Sequence, residues 1–132
     1  MRQNINIPKE LQYESYEELL QQDKIADCAM ICTQDKMHYE PVTMALQKGY
    51  HVLCEKPMSP NKDEIVKMGA MAKKYNRILS VCHVLRYSPF FSKIKEILDE
   101  ERIGRMMSIQ HIEEVGYWHH AHSFVRGNWR NK

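Results

Sequence analysis

Apolar residues along this chain fall into runs whose spacing changes several times, and the changes mark the elements. Ile25-Ala26-Asp27-Cys28-Ala29-Met30-Ile31-Cys32-Thr33 is almost continuously apolar, the pattern of a strand buried on both faces of a parallel sheet. His51-Val52-Leu53-Cys54 repeats it, and so does the run from Arg77 to Val84. Between these runs the spacing turns helical. From Lys36, residues His38, Val42, Ala45 and Leu46 share one helical face, and Gly49 is placed as the stop. Pro41 falls in the first turns of that helix, where its cost is small. Ile65, Met68, Met71, Ala72 and Tyr75 mark a second stripe, with Ser59-Pro60 as cap and first helical position. Upstream, Ser15 and Glu18 are spaced as a capping box for a short helix reaching about Lys24. Ser88-Pro89 repeats the cap signature ahead of a helix faced by Phe91, Ile94, Ile97 and Leu98. After Gly104, Met106 to Val115 alternates, which predicts a strand with one wet face. Met37, Met68, Met71, Met106 and Met107 read as core filling.

Strand–helix–strand–helix–strand–helix followed by an alternating strand predicts an α/β fold. The three buried strands are expected to lie parallel through right-handed crossovers. The change in strand character after about residue 100 marks a boundary, and the division is placed at residues 87 and 88. Residues 1–87 form a parallel α/β unit, and 88–132 begin an α+β unit.

Composition narrows the class. With 19 basic and 17 acidic residues among 132, the formal charge is +2, and no block of Lys or Arg is dense enough for a nucleic-acid footprint. Charges interrupt every apolar segment, so neither a signal peptide nor a membrane span is expected. Cys28, Cys32, Cys54 and Cys82 sit in strand-like runs without CxxC spacing, which favours buried, reduced thiols in a cytoplasmic protein.

The chemistry centres on Glu55-Lys56-Pro57, which follows the second strand with no intervening loop. A lysine at the carboxyl end of a parallel strand stands where open α/β sheets bind ligands. It can donate to a hydroxyl or carbonyl oxygen, or exchange a proton if burial lowers its pKa. Proline fixes the direction of the exit, with a cis bond as one way of doing so. Taken alone, the triplet reads more simply as an exposed Glu–Lys pair with proline as punctuation. Two further strand ends, Thr33-Gln34-Asp35 and His83-Val84-Leu85-Arg86-Tyr87, are delivered to the same sheet edge, and convergence of three ends makes a site.

In this order and at these distances, the chain resembles the glucose–fructose oxidoreductase, inositol dehydrogenase and rhizopine-catabolism family from about Tyr13 onward. The pieces are the strand Ala26–Thr33 with its polar turn and His38, the helix ending Ala45-Leu46-Gln47-Lys48-Gly49, and Glu55-Lys56-Pro57. Residues Pro60–Lys74 and His83-Val84-Leu85-Arg86-Tyr87-Ser88-Pro89-Phe90 complete the set. The resemblance implies a Rossmann-like, doubly wound parallel domain followed by a substrate domain. It implies an NAD- or NADP-dependent dehydrogenase acting on a sugar, polyol or cyclitol hydroxyl, homo-oligomeric when full length. Thr33, Gln34, Asp35 and His38 fall where the family lines the nicotinamide side of the cofactor, although members commonly carry Pro-Asn after the threonine. Glu55, Lys56 and Pro57 lie near the nicotinamide ribose, with Lys56 reaching the substrate hydroxyl as the catalytic residue. His83 and Arg86 close the pocket, and Arg126, Trp129 and Arg130 face the substrate.

Two family features are missing. No G-x-G-x-x-G turn occurs among the five glycines, and the downstream histidine that takes the proton would lie beyond Lys132. The expectation is a chain lacking the first strand–helix–strand unit and inactive alone, with Met1 an internal start or the edge of a truncated gene. Rival readings are a non-catalytic member that senses nucleotide or binds a partner, and an NAD-dependent glycosidase of the same fold. His111, His119, His120 and His122 offer imidazoles, but no carboxylate or cysteine is placed to complete a tetrahedral set, so no metal is expected.

Overall fold

A computed structural model describes residues 7–127. Contacts divide the chain into two compact units, 1–88 and 89–132. The first is built on three parallel strands, β1 (Cys28–Ile31), β2 (His51–Cys54) and β3 (Leu79–Val81), ordered β1-β2-β3. Register pairs Ile31 with Cys54 and Cys54 with Val81, so the three strand ends stand level.

Helices α1 (Tyr16–Gln21), α2 (Tyr39–Gln47) and α3 (Lys62–Lys74) complete the unit. The capping box works at one of its two ends: Ser15 Oγ accepts from the Glu18 amide at 3.2 Å, while Glu18 Oε2 accepts from the Glu14 amide. The helix stops at Gln21, short of Lys24, and Tyr16 then ties it to α2 by donating to Glu40 Oε2 at 3.1 Å. A hydrogen bond to Glu17, burial, and the bond to Glu40, in that order, push the Tyr16 phenol up to about 12. In α2, Pro41 is the third residue, where its missing N–H removes no intrahelical bond. His38, Val42, Ala45 and Leu46 are all buried, as their spacing required. Gly49 takes φ +91° and ends the helix. The cap of α3 is Asn61, not Ser59. Asn61 Oδ1 accepts from Asp63 N at 2.9 Å, while Ser59 Oγ accepts from Asn61 N and donates to Glu64.

Val42, Leu46, Tyr50, Val52, Cys54 and Met68 form the core between sheet and helices. Burying about ten such side chains is the main favourable term for the unit. Among the described residues of this unit, however, the helices cover one face of its sheet. Along β1 exposure alternates, and Met30 is 68% exposed, which corrects the expectation of a strand buried on both faces. The reason lies in the order: strands that advance in one direction through crossovers of one hand carry every connecting helix over the same face. Ala29, Ile31, Val52 and Cys54 therefore meet the helices, while Cys28 and Met30 do not.

Beyond β3 the expected strand to Val84 ends early. Val81 is its last residue, and Val84–Tyr87 form a 3-10 turn. The second unit holds the amphipathic helix α4 (Pro89–Asp99), a single turn α5 (Tyr117–His120) and a π-helical stretch, Ala121–Arg126. Met106–Val115 forms no strand, correcting the expected alternating strand and with it the start of a second sheet. A lone strand leaves its backbone groups unpaired, and the described residues provide no neighbour for it. Met106 and Met107 are accordingly exposed, as is Met37, so of the five methionines expected in the core only Met68 is fully buried.

Candidate functional site

The ladder runs one residue past the strand ends, with Glu55 N donating to Ile31 O and Cys82 N donating to Cys54 O, each at 2.9 Å. Cys32, Glu55 and Cys82 thus form the next row, and the chain leaves it in three directions. After β1, Thr33 Oγ1 donates to Met37 O at 3.2 Å and Asp35 Oδ1 accepts from Lys36 N at 2.8 Å, closing a tight turn. After β2, Lys56 leads into a cis peptide bond to Pro57. After β3, His83 N donates to Val81 O at 2.7 Å and Arg86 N to His83 O at 3.0 Å, which curls residues 83–87 into a wall.

Lys56, Cys82, His83, Val84, Leu85 and Arg86 line a hollow of ≈ 400 Å³ at this edge. Of the sequence-derived candidates the hollow holds Lys56, His83 and Arg86, without Thr33, Gln34, Asp35, Glu55 or Pro57, and it adds Cys82, Val84 and Leu85. Cys82 lies inside the run that predicts the third strand, where a buried thiol is expected. It is only partly buried, and Cys28 and Cys32 are exposed, which corrects that expectation for the residues on the open face and past the strand ends. A larger hollow of ≈ 680 Å³ lies among Ile7, Leu11, Gln12, Tyr13 and α1. The sheet edge is the better chemical candidate, because the unpartnered lysine is there.

Glu55 and Lys56 do not pair. Glu55 Oε2 accepts from the backbone N–H of Lys56 at 3.2 Å. Adjacent residues leaving a strand point to opposite sides, which parts carboxylate from ammonium. Among the described residues the Lys56 ammonium has neither hydrogen bond nor ion pair, and the side chain is exposed. Glu55 influences the thiols instead. Burial first, then the hydrogen bond to Glu55, raise Cys82 above the ordinary thiol range, and burial with the Glu55 charge pushes Cys54 up to about 11.

His38 sits behind this edge, 1% exposed. Its Nδ1 lies 2.9 Å from Pro57 O and its Nε2 lies 2.9 Å from Thr33 O, so both ring nitrogens meet the protein's own carbonyls. A carbonyl only accepts: a neutral ring satisfies one contact, and a doubly protonated ring satisfies both. Neither nitrogen is open to a ligand.

The other sequence-derived candidates are dispersed. Arg126 lies in the second unit, and Trp129 and Arg130 fall outside the described residues. No cluster of three or more His, Cys, Asp or Glu among the described residues has metal-binding geometry, and no described helix is long and apolar enough to cross a membrane.

A nicotinamide nucleotide fits this edge in part. Exposed Thr33 and Lys56 and the hollow beside His83 suit a polar ring with an attached ribose. No glycine turn joins a strand to a helix: Gly49 stands between α2 and β2, Gly69 inside α3, and Gly104, Gly116 and Gly127 beyond the sheet. A pyrophosphate therefore lacks its usual seat within this chain.

Comparison with known proteins gives concordant matches. Residues 1–83 match the oxidoreductase family with an NAD-binding Rossmann fold. A trans-1,2-dihydrobenzene-1,2-diol dehydrogenase from Xenopus tropicalis is 35% identical over 108 residues, covering 82% of this chain and 32% of that protein. The myo-inositol 2-dehydrogenase of Lactobacillus plantarum superposes with a TM-score of 0.66 at 27% identity, over 72% of this chain and 28% of that one. The WlbA dehydrogenase of Chromobacterium violaceum, solved with NADH and UDP-GlcNAcA, also gives 0.66 at 27% identity, over 70% and 27%. The chain spans about a third of the length of the curated relatives it matches.

Proposed function

Since this chain belongs to the glucose–fructose oxidoreductase, inositol dehydrogenase and rhizopine-catabolism family of oxidoreductases, we propose that it forms the nicotinamide side of a dehydrogenase site. The substrate group in this reading is a hydroxyl of a sugar, polyol or cyclitol. One observation carries it: an unpartnered lysine ammonium stands over an open hollow at the carboxyl edge of three parallel strands.

Lys56 acts as the catalytic residue. Its ammonium donates to the reacting oxygen and stabilises the negative charge that develops there. The separation of Glu55 from Lys56 supports this role, because an internal ion pair would occupy the donor. NAD or NADP, when bound, supplies the hydride acceptor. Thr33, Gln34 and Asp35 would hold one side of it, Glu55 and Pro57 the middle, and His83 and Arg86 the other side. Residues from about 88 onward begin the substrate domain, where Arg126, Trp129 and Arg130 are assigned to substrate. A homo-oligomer in the cytoplasm belongs to the same reading.

The test follows from the partial fit. The chain is titrated with NADH and with reduced nicotinamide mononucleotide while backbone amide resonances are followed. Both ligands are expected to shift Thr33, Glu55, Lys56, Cys82 and His83, with weak affinities within an order of magnitude of each other. Shifts confined to the Ile7–Leu19 hollow, or NADH binding far more tightly than the mononucleotide, would refute the assignment.

A further inference from the structure

Among the described residues the exposed Lys56 ammonium has no hydrogen bond or ion pair, so its position is set through the backbone that carries it. In the segment after β2, the carbonyl next to the Lys56–Pro57 bond, that of Pro57, is met from the core side by the buried imidazole of His38. The same ring reaches Thr33 O, the first turn residue after β1. His38 itself is anchored from the helix side, since Val42 N donates to His38 O at 3.1 Å and Val42 is in the core. A rigid path thus runs from the core through one imidazole to both strand exits.

We propose that His38 is a positioning residue that fixes Lys56 through an Nδ1–H bond to the Pro57 carbonyl. Its contact to Thr33 sets the opposite wall. This inference rests on the proposed role of Lys56, but its geometry stands apart from any cofactor. A buried ring whose two nitrogens each lie 2.9 Å from a main-chain oxygen leaves neither nitrogen open to a ligand. It is a second-layer group of the kind that locks a reactive side chain in place.

Amide substitutions separate the two contacts. In His38→Asn the side-chain nitrogen falls near the Nδ1 position and keeps the donor to Pro57. In His38→Gln it falls near Nε2 and keeps only the contact to Thr33. The readout is the rate at which acetic anhydride acylates Lys56, measured by mass spectrometry relative to exposed Lys95, with circular dichroism as the control for folding. His38→Gln is expected to change the relative rate by about fivefold, the population shift carried by one hydrogen bond, while His38→Asn stays close to the original protein. Equal rates in both variants, equal changes in both, or loss of the fold in both would overturn the proposal. NADH titration of the unsubstituted chain separates the two claims. An acylation split without nucleotide binding leaves His38 in its role and removes the dehydrogenase reading; binding without a split does the reverse.

Discussion

Two glycines on either side of β2 make opposite predictions when replaced by alanine. Gly69 lies inside α3, and a Cβ built there meets nothing within 4 Å. Alanine therefore adds no clash and removes the excess freedom of the unfolded chain, a gain of about 0.5–1 kcal/mol. Gly49 ends α2 at φ +91°, where its Cβ would stand 3.6 Å from the Arg77 guanidinium, an ordinary contact. Space is thus no obstacle, and the cost is that of holding alanine in the left-handed region, about 1–2 kcal/mol. The two variants should shift in opposite directions from the parent and differ from each other by about 1.5–3 kcal/mol. For a unit of this size each kcal/mol moves the midpoint by about 4–8 °C, so Gly69→Ala melts a few degrees higher and Gly49→Ala several degrees lower. Thermal melts at 222 nm and urea titrations with unchanged slope measure both. A destabilised Gly69→Ala would mean that α3 packs more closely than described. An unshifted Gly49→Ala would mean that α2 does not need the left-handed stop.

Two further outcomes concern the sheet edge. Lys56→Met removes an exposed, unpartnered ammonium, so the melting midpoint should hold within about 0.5 kcal/mol. Turnover of a polyol by an enzyme carrying this site should then fall by about 10²–10³, and unchanged turnover would remove Lys56 from the chemistry. Cys54, held protonated by burial and by the charge of Glu55 up to about 11, should resist iodoacetamide at pH 8 while exposed Cys28 and Cys32 react. The folded chain keeps that proton more tightly than the unfolded one, so this contribution to stability is complete below pH 9 and is lost as pH rises toward about 11. Labelling of Cys54 at the rate of Cys28 at pH 8 would contradict its burial.

Local pattern was enough for the existence of α1 to α4 and for the central strand, but not for α5 and the π-helical stretch, which fall where a polar loop was expected. Val42, Ala45 and Leu46 announced the buried face of α2, and His51–Cys54 was placed to the residue. What failed depended on partners. The apolar run at Ala26–Thr33 cannot state whether both faces are covered, because that depends on strand order, and Met30 paid for the omission with its exposure. Alternation at Met106–Val115 describes a strand only when a neighbour offers its amides. Asn61 displaced Ser59 as a cap because its side chain meets the amide two residues on, while Ser59 serves the turn before it. At the site, Lys56 and its sheet edge were legible. The divergence of Glu55 from Lys56 followed from strand alternation and went unused. The enclosure of His38 was legible too, since it shares the helical face of Val42 and Leu46, yet its two carbonyl partners come from loops that only folding brings together.

The middle position of β2 has a consequence for motion. It alone has a ladder on each side, with Val52 and Cys54 buried beneath it, so its amides should be among the last in the unit to exchange with solvent. The wall at Val84–Tyr87 is a single 3-10 turn with exposed side chains, drawn from the other end of the opening scale. Breathing at this edge therefore belongs to the wall. The lysine is mounted on the slowest-opening strand, and whatever enters the hollow meets a stationary charge and a moving rim.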